Sequence, residues 1–170
     1  MSEPDARPLI VTCRLDEASF ERFDALRREH FPPALNRLKA HLTLFHHLPG
    51  DRIDEVRKAL ADAARREPPM IEVTGLRKLG RGTAYAMRSP ELDAARAAIA
   101  TAFAAALTPQ DRQGFRPHVT VQNKVDPSVA AELYDTLTTT FTPFAATGEA
   151  LQLWRYDGGP WEAAGEVRFG

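Results

Sequence analysis

Cysteine is almost absent from this chain of 170 residues: Cys13 stands alone, so no internal disulfide can form. Its place in the apolar stretch Leu9-Ile10-Val11-Thr12-Cys13 reads as a buried structural thiol, not a nucleophile, and fits a reducing compartment. No apolar run is long enough to span a bilayer. The opening Met1-Ser2-Glu3-Pro4-Asp5 lacks the apolar core of a signal peptide, so a soluble, cytoplasmic protein is expected. Neither charge sign is in excess; a net charge of -1 gives no general electrostatic pull toward nucleic acid. There is no low-complexity tract. What remains is an ordinary globular composition, 44% hydrophobic and 26% charged, long enough to bury a substantial core as one domain.

Histidine is scarce as well, with five in the chain, yet two of them open matched strings: His41-Leu42-Thr43-Leu44 and His118-Val119-Thr120-Val121. In an extended strand His and Thr at i and i+2 share one face, while the apolar residues face the other way into a core. Each string therefore presents an imidazole and a hydroxyl side by side on an anchored strand. One such string means little, because Thr is a common strand former. Two strands brought together would converge two acid/base groups and two hydrogen-bond donors on one spot.

Periodicity predicts a strand at about 9–15 and a helix from about Glu17 to His30, capped by Asp16, with Phe20, Phe23 and Leu26 as its stripe. A loop with Pro32-Pro33 leads to the first histidine strand, about 40–48. Asp51 then caps a helix burying Ile53, Val56, Leu60 and Ala64, ended by Pro68-Pro69. Strands follow at 71–79 and 83–88 around the turn Gly80-Arg81-Gly82. The order then restarts. Ser89-Pro90 opens a helix with the stripe Leu92, Ala95, Ile99, Phe103 and Ala106, and a loop from Pro109 to Pro117 delivers the second histidine strand, about 117–125. Asp126-Pro127 starts a helix with Val129, Leu133 and Leu137 facing inward. Strands at about 144–156 and 161–169 close the chain around Asp157-Gly158-Gly159-Pro160.

Both halves thus run strand, helix, histidine strand, helix, strand, which reads as an internal duplication with the two strings at equivalent positions. The expected fold class is α+β: a bilobal, pseudo-two-fold duplicated fold over residues 1–170, with antiparallel sheets lining a central cleft and helices outside. The cleft would set the two histidine strands opposite each other.

With its two His-apolar-Thr-apolar strings, the second preceded by Arg116-Pro117, the chain resembles the 2H phosphoesterase superfamily, which includes 2′-5′ RNA ligase-like proteins and cyclic nucleotide phosphodiesterases. The likeness extends over nearly the whole chain through the repeated strand-helix order. It implies a phosphoesterase with catalytic His41, Thr43, His118 and Thr120, no metal and no cofactor, acting on 2′,3′-cyclic phosphates or 2′-5′ linkages. The partner would be a nucleotide or an RNA terminus gripped at its end; no membrane or protein partner is indicated. In-line displacement at phosphorus needs a base on one side and an acid on the other, and histidine titrates near neutrality. The two threonines can donate to the non-bridging oxygens as charge builds.

Continuing by twos along each strand adds Phe45 and His47, then Gln122 and Lys124, as groups sharing the histidine faces. Phe45, Arg116, Gln122 and Lys124 are the candidate substrate-binding residues, each with a plain structural reading beside it: core for Phe45, a solvated strand end for Gln122 and Lys124. Trp154, Tyr156 and Trp161 cluster around the last hairpin, mostly as packing, with one available as a base platform. A zinc site is disfavoured, since His41 and His47 would lie about 20 Å apart along a strand. His46 and His47 would point to opposite faces, and a third ligand is missing. The alternative from another class is a non-catalytic module that holds a nucleotide or RNA end.

Overall fold

The computed structural model describes residues 5–170. Met1 to Pro4, the start of the segment expected not to be a signal peptide, lie outside the described residues. The elements are β1 (Leu9–Leu15), α1 (Glu17–His30), β2 (Leu42–Leu48), α2 (Ile53–Ala63), β3 (Met70–Lys78) and β4 (Thr83–Arg88). Then come α3 (Pro90–Ala102), α4 (Pro109–Arg112), β5 (His118–Gln122), α5 (Pro127–Thr140), β6 (Phe144–Arg155) and β7 (Glu162–Arg168). None of these helices is long and apolar enough to cross a membrane.

Local chemistry sets these boundaries. Asp16 accepts the Ser19 N–H at 3.2 Å and caps α1, and Ser89 caps α3 by accepting the Leu92 N–H at 3.2 Å, with Pro90 just inside the helix. Gly80 takes φ +84° in the turn between β3 and β4. Gly82 passes so near the Gln122 carbonyl that a Cβ would lie 2.0 Å from its oxygen.

The strands pair antiparallel in the order β1-β2-β5-β4-β3-β6, and a β1–β6 pairing closes the ring. The long β6 takes β3 along Phe144–Thr147 and β7 along Ala150–Arg155. The expected α+β class with antiparallel strands is present, but as one ring-shaped sheet where separate sheets were expected. Within the six-stranded ring, leaving β7 aside, the pairing list is unchanged when β1 is exchanged with β4, β2 with β5, and β3 with β6. Each half therefore lends its third strand to the other half's first two, and the exchange fuses what the linear order suggests as two sheets.

The core joins Leu9, Val11, Leu42, Leu44, Val119, Val121, Leu151 and Leu153 of the strands to Phe23, Val56, Leu60, Leu92 and Ile99 of the helices. Several expected details shift. Asp51 sits in a 3-10 turn, Gly50–Arg52, and α2 begins without a side-chain cap. Ala106 lies in a second such turn, beyond the end of α3. The expected loop before the second histidine holds the short α4, started by Thr108, whose hydroxyl accepts from the Asp111 N–H. In α5 Val129 is 45% exposed, because the helix is turned one residue so that Ala130 and Leu133 are buried. Leu133→Ala is therefore expected to cost about 2–5 kcal/mol. Val129→Ala should stay within about 0.5 kcal/mol. Equal losses in urea unfolding would show the helix phase to be wrong.

Candidate active site

β2 and β5 meet at a single register pair, Leu42 opposite Val119, both fully buried. Counting outward from an antiparallel pair sets His41 across from Thr120 and Thr43 across from His118. These four residues share the face opposite the core and are half-buried. The two imidazoles are close enough that the charge of His118 acts on His41.

Both rings are held the same way. Nδ1 of His41 lies 2.8 Å from the Lys39 carbonyl oxygen, and Nδ1 of His118 lies 2.8 Å from that of Arg116. A carbonyl only accepts, so Nδ1 of His41 carries the hydrogen and its Nε2 is left unengaged, while at His118 the Arg116 carbonyl and the Arg77 guanidinium compete for Nδ1. Burial, against that backbone bond and with Arg27 and His118 nearby, pushes His41 down to about 4. Burial also lowers His118, helped by the cations of Arg77 and Arg116.

Arg77 was not singled out from the sequence. Its Nη1 is 3.0 Å from His118 Nδ1 and donates to the Arg116 carbonyl at 3.4 Å. It reaches this place through register: Arg77 pairs with Ala84, and Ala84 with Thr120. The Gly80-Arg81-Gly82 turn implies the first pairing, whereas no local signal reveals the second. Burial and the Arg116 charge lower the proton affinity of Arg77.

Around His41 the floor is polar and aromatic. Thr12, paired with Thr43, donates to Gln152 Oε1 at 3.0 Å and accepts from Trp154 Nε1 at 2.9 Å. Trp161 meets the His41 ring edge-on at 5.0 Å between centroids. A cavity of about 480 Å³ opens here, lined among others by Thr12, Phe20, Leu38, His41, Trp154 and Trp161.

The outer candidates divide. Arg116 is exposed beside His118. Phe45 is fully buried, because the β1–β2 register slips and lets both Leu44 and Phe45 face the core. A buried ring cannot stack a base, and Phe45 instead lies under the Arg96 guanidinium at 4.4 Å. A second slip, between Leu9 and Val11, exposes His46 and His47 together on one cavity wall, where opposite faces were expected. Gln122 is also lost from the groove: it is 3% exposed at the end of β5. Lys124 is exposed in a left-handed turn beyond β5, at φ 62°. Among the described residues, no three His, Cys, Asp or Glu side chains group as metal ligands would.

The family model of the 2′-5′ RNA ligase superfamily matches residues 15–160, and the chain belongs to that family. Solved structures share the fold. E. coli LigT complexed with NADP+ is 19% identical with a TM-score of 0.61, covering 97% of this chain and 99% of its own. The protein TT0787 of Thermus thermophilus is 16% identical with a TM-score of 0.66, over 95% and 97% of the two chains. A further structure described as a phosphoesterase is 18% identical with a TM-score of 0.61, over 97% and 99%. No curated protein matches the chain in sequence.

Titration of the two imidazoles by NMR checks the site without any substrate. Both should take up their proton below the ordinary 6.5, His41 near 4. Arg77→Ala removes a cation beside His118 and should move its midpoint upward while leaving His41 nearly fixed. Midpoints at or above 6.5 for both rings would contradict the buried, cation-flanked geometry.

Proposed function

We propose that the protein hydrolyses nucleoside or RNA-terminal 2′,3′-cyclic phosphates, without a metal, by paired-histidine acid/base catalysis. The same site could cleave or join 2′-5′ phosphodiester linkages when a ribose hydroxyl takes the place of water. The observation that carries this reading is the Leu42–Val119 register, which gathers His41, Thr43, His118 and Thr120 on one face. The whole chain then acts as one domain, its two halves each contributing one histidine strand.

In hydrolysis one imidazole takes a proton from water as the water oxygen bonds to phosphorus. The bond from phosphorus to one ribose oxygen breaks, and the other imidazole protonates that oxygen. The product is a ribose monophosphate, and proton exchange with solvent restores the pair. Thr43 and Thr120 donate to the non-bridging oxygens, where charge accumulates in the transition state. Arg77 and Arg116 add positive potential on the His118 side. A strained cyclic phosphate suits so small a set of groups. That E. coli LigT has been solved with 3′-AMP, with ATP and with phosphate supports a nucleotide as the ligand class.

The test is hydrolysis of the four nucleoside 2′,3′-cyclic monophosphates in EDTA, with His41→Ala and His118→Ala alongside. Turnover should survive chelation and fall about 10²-fold or more in each variant. Because the productive state carries one proton on a pair whose members both titrate below 6.5, kcat/KM should decline as pH rises through neutrality. Below about 4 a second proton should extinguish it. Undiminished binding with no turnover of cyclic phosphates or 2′-5′-linked oligonucleotides would favour the non-catalytic RNA-end module.

A further inference from the structure

His46 and His47 lie outside the catalytic set, yet the structure invests a buried carboxylate in them. Asp111, 1% exposed on α4, accepts the backbone N–H groups of both at 2.9 Å and stands 3.2 Å from His46 Nδ1. Burial alone would raise the Asp111 carboxyl, but the bonds from His46 and His47 outweigh it and hold it below the usual range. An ionised Asp111 can only accept, so His46 Nδ1 carries the hydrogen and Nε2 is left for a ligand.

These histidines wall a second cavity of about 650 Å³, lined also by Ile10, Gln110, Tyr156 and Trp161. It shares Leu38 and Trp161 with the cavity beside His41, so the two are neighbours across one wall. Each has the size of a small-ligand pocket, so a mononucleotide at the histidine pair accounts for only one. The second offers chemistry suited to another nucleotide. Tyr156 meets Trp161 edge-on at 6.3 Å between centroids and is itself 37% exposed, an accessible ring for a base. The imidazoles and the exposed Gln110 amide can bond ribose or phosphodiester oxygens.

We propose that this second cavity is the subsite for the nucleotide preceding a terminal cyclic phosphate, so that the substrate is an oligoribonucleotide end of at least two residues. The inference rests on the reading of the histidine pair as the cyclic-phosphate site, and the side-by-side placement of the two cavities about Leu38 and Trp161 favours substrate over a separate protein ligand.

Adenosine 2′,3′-cyclic phosphate and the dinucleotide ApA ending in the same cyclic phosphate separate the two questions. The wild type should prefer the dinucleotide by about tenfold in kcat/KM, the effect of one well-stacked base. His46→Ala should bring that ratio toward one. Gln110→Ala, on an exposed position of a four-residue helix where folding is not at stake, should lower it as well. A wild-type ratio within about twofold of one, on the same scale, overturns the subsite while the hydrolytic reading stands. A preference untouched by both variants also overturns it. If neither compound is hydrolysed, binding of ApA 3′-phosphate against 3′-AMP decides. Tighter, His46-dependent binding of the dinucleotide keeps the subsite and removes the hydrolytic reading, whereas equal binding removes both.

Discussion

β2 and β5 touch through one residue pair, and the groove exists because they then separate. Had they paired along their lengths, the ring would have closed as a continuous wall. With Leu42 and Val119 buried together and the strands diverging on both sides, the flanking His and Thr of each strand stand at a widening gap. The near two-fold arrangement of the four side chains follows from antiparallel register about that pair, with no further device needed.

Divergence leaves backbone groups that a neighbouring strand would otherwise satisfy, and a buried polar backbone group without a partner is costly. Each half answers with an arginine from a helix. Arg27 of α1, 5% exposed, donates to the Thr120 carbonyl at 3.1 Å while packing over Phe31. Arg96 of α3 donates to the Leu44 carbonyl at 3.2 Å while covering Phe45 and Phe115. Asp111 accepts from the N–H groups of His46 and His47 further along β2, and Asp24 of α1 from that of Ala40, just before His41. Arg27 with Asp24, and Arg96 with Asp111, thus hold the strand edges apart and in place. Burial lowers the proton affinity of both arginines, and the nearby charges of Asp24 and Asp111 offset part of that effect.

These clamps explain where the sequence is legible and where it is not. His41, Thr43, His118 and Thr120 were readable because strand alternation is local, and a matched pair of strings is informative without knowledge of the fold. Asp16, Ser89 and the Gly80 turn were readable for the same reason. Phe45 takes its core reading, and Gln122 neither its groove nor its solvated one, because alternation breaks at a bulge and at a strand end, and both breaks depend on neighbours distant in sequence. Val129 failed by one residue of helix phase, which packing of α5 against β3 and β4 decides. Arg27, Arg77 and Arg96 look like solvated charges in the linear chain. Only the exchange of third strands between halves, and the helices laid across the diverging edges, bring them beside the site.

The pairing is symmetric but its surroundings are not, and direction has to come from the surroundings. Beside His41 the sheet carries Thr12, Gln152 and Trp154, roofed by Trp161 into a walled pocket. At the corresponding register positions beside His118 it carries Ala84, Ala86 and Gly75, with open space where a Gly75 side chain would stand, and Arg77 paired with Ala84. One side is built to enclose an aromatic or sugar-sized group and the other to meet charge and solvent. Two like imidazoles lowered by different neighbours can then hold one proton between them unequally. A motif present twice sets two imidazoles on one face at once, and the unlike flanking residues make the two sides of the groove chemically distinct.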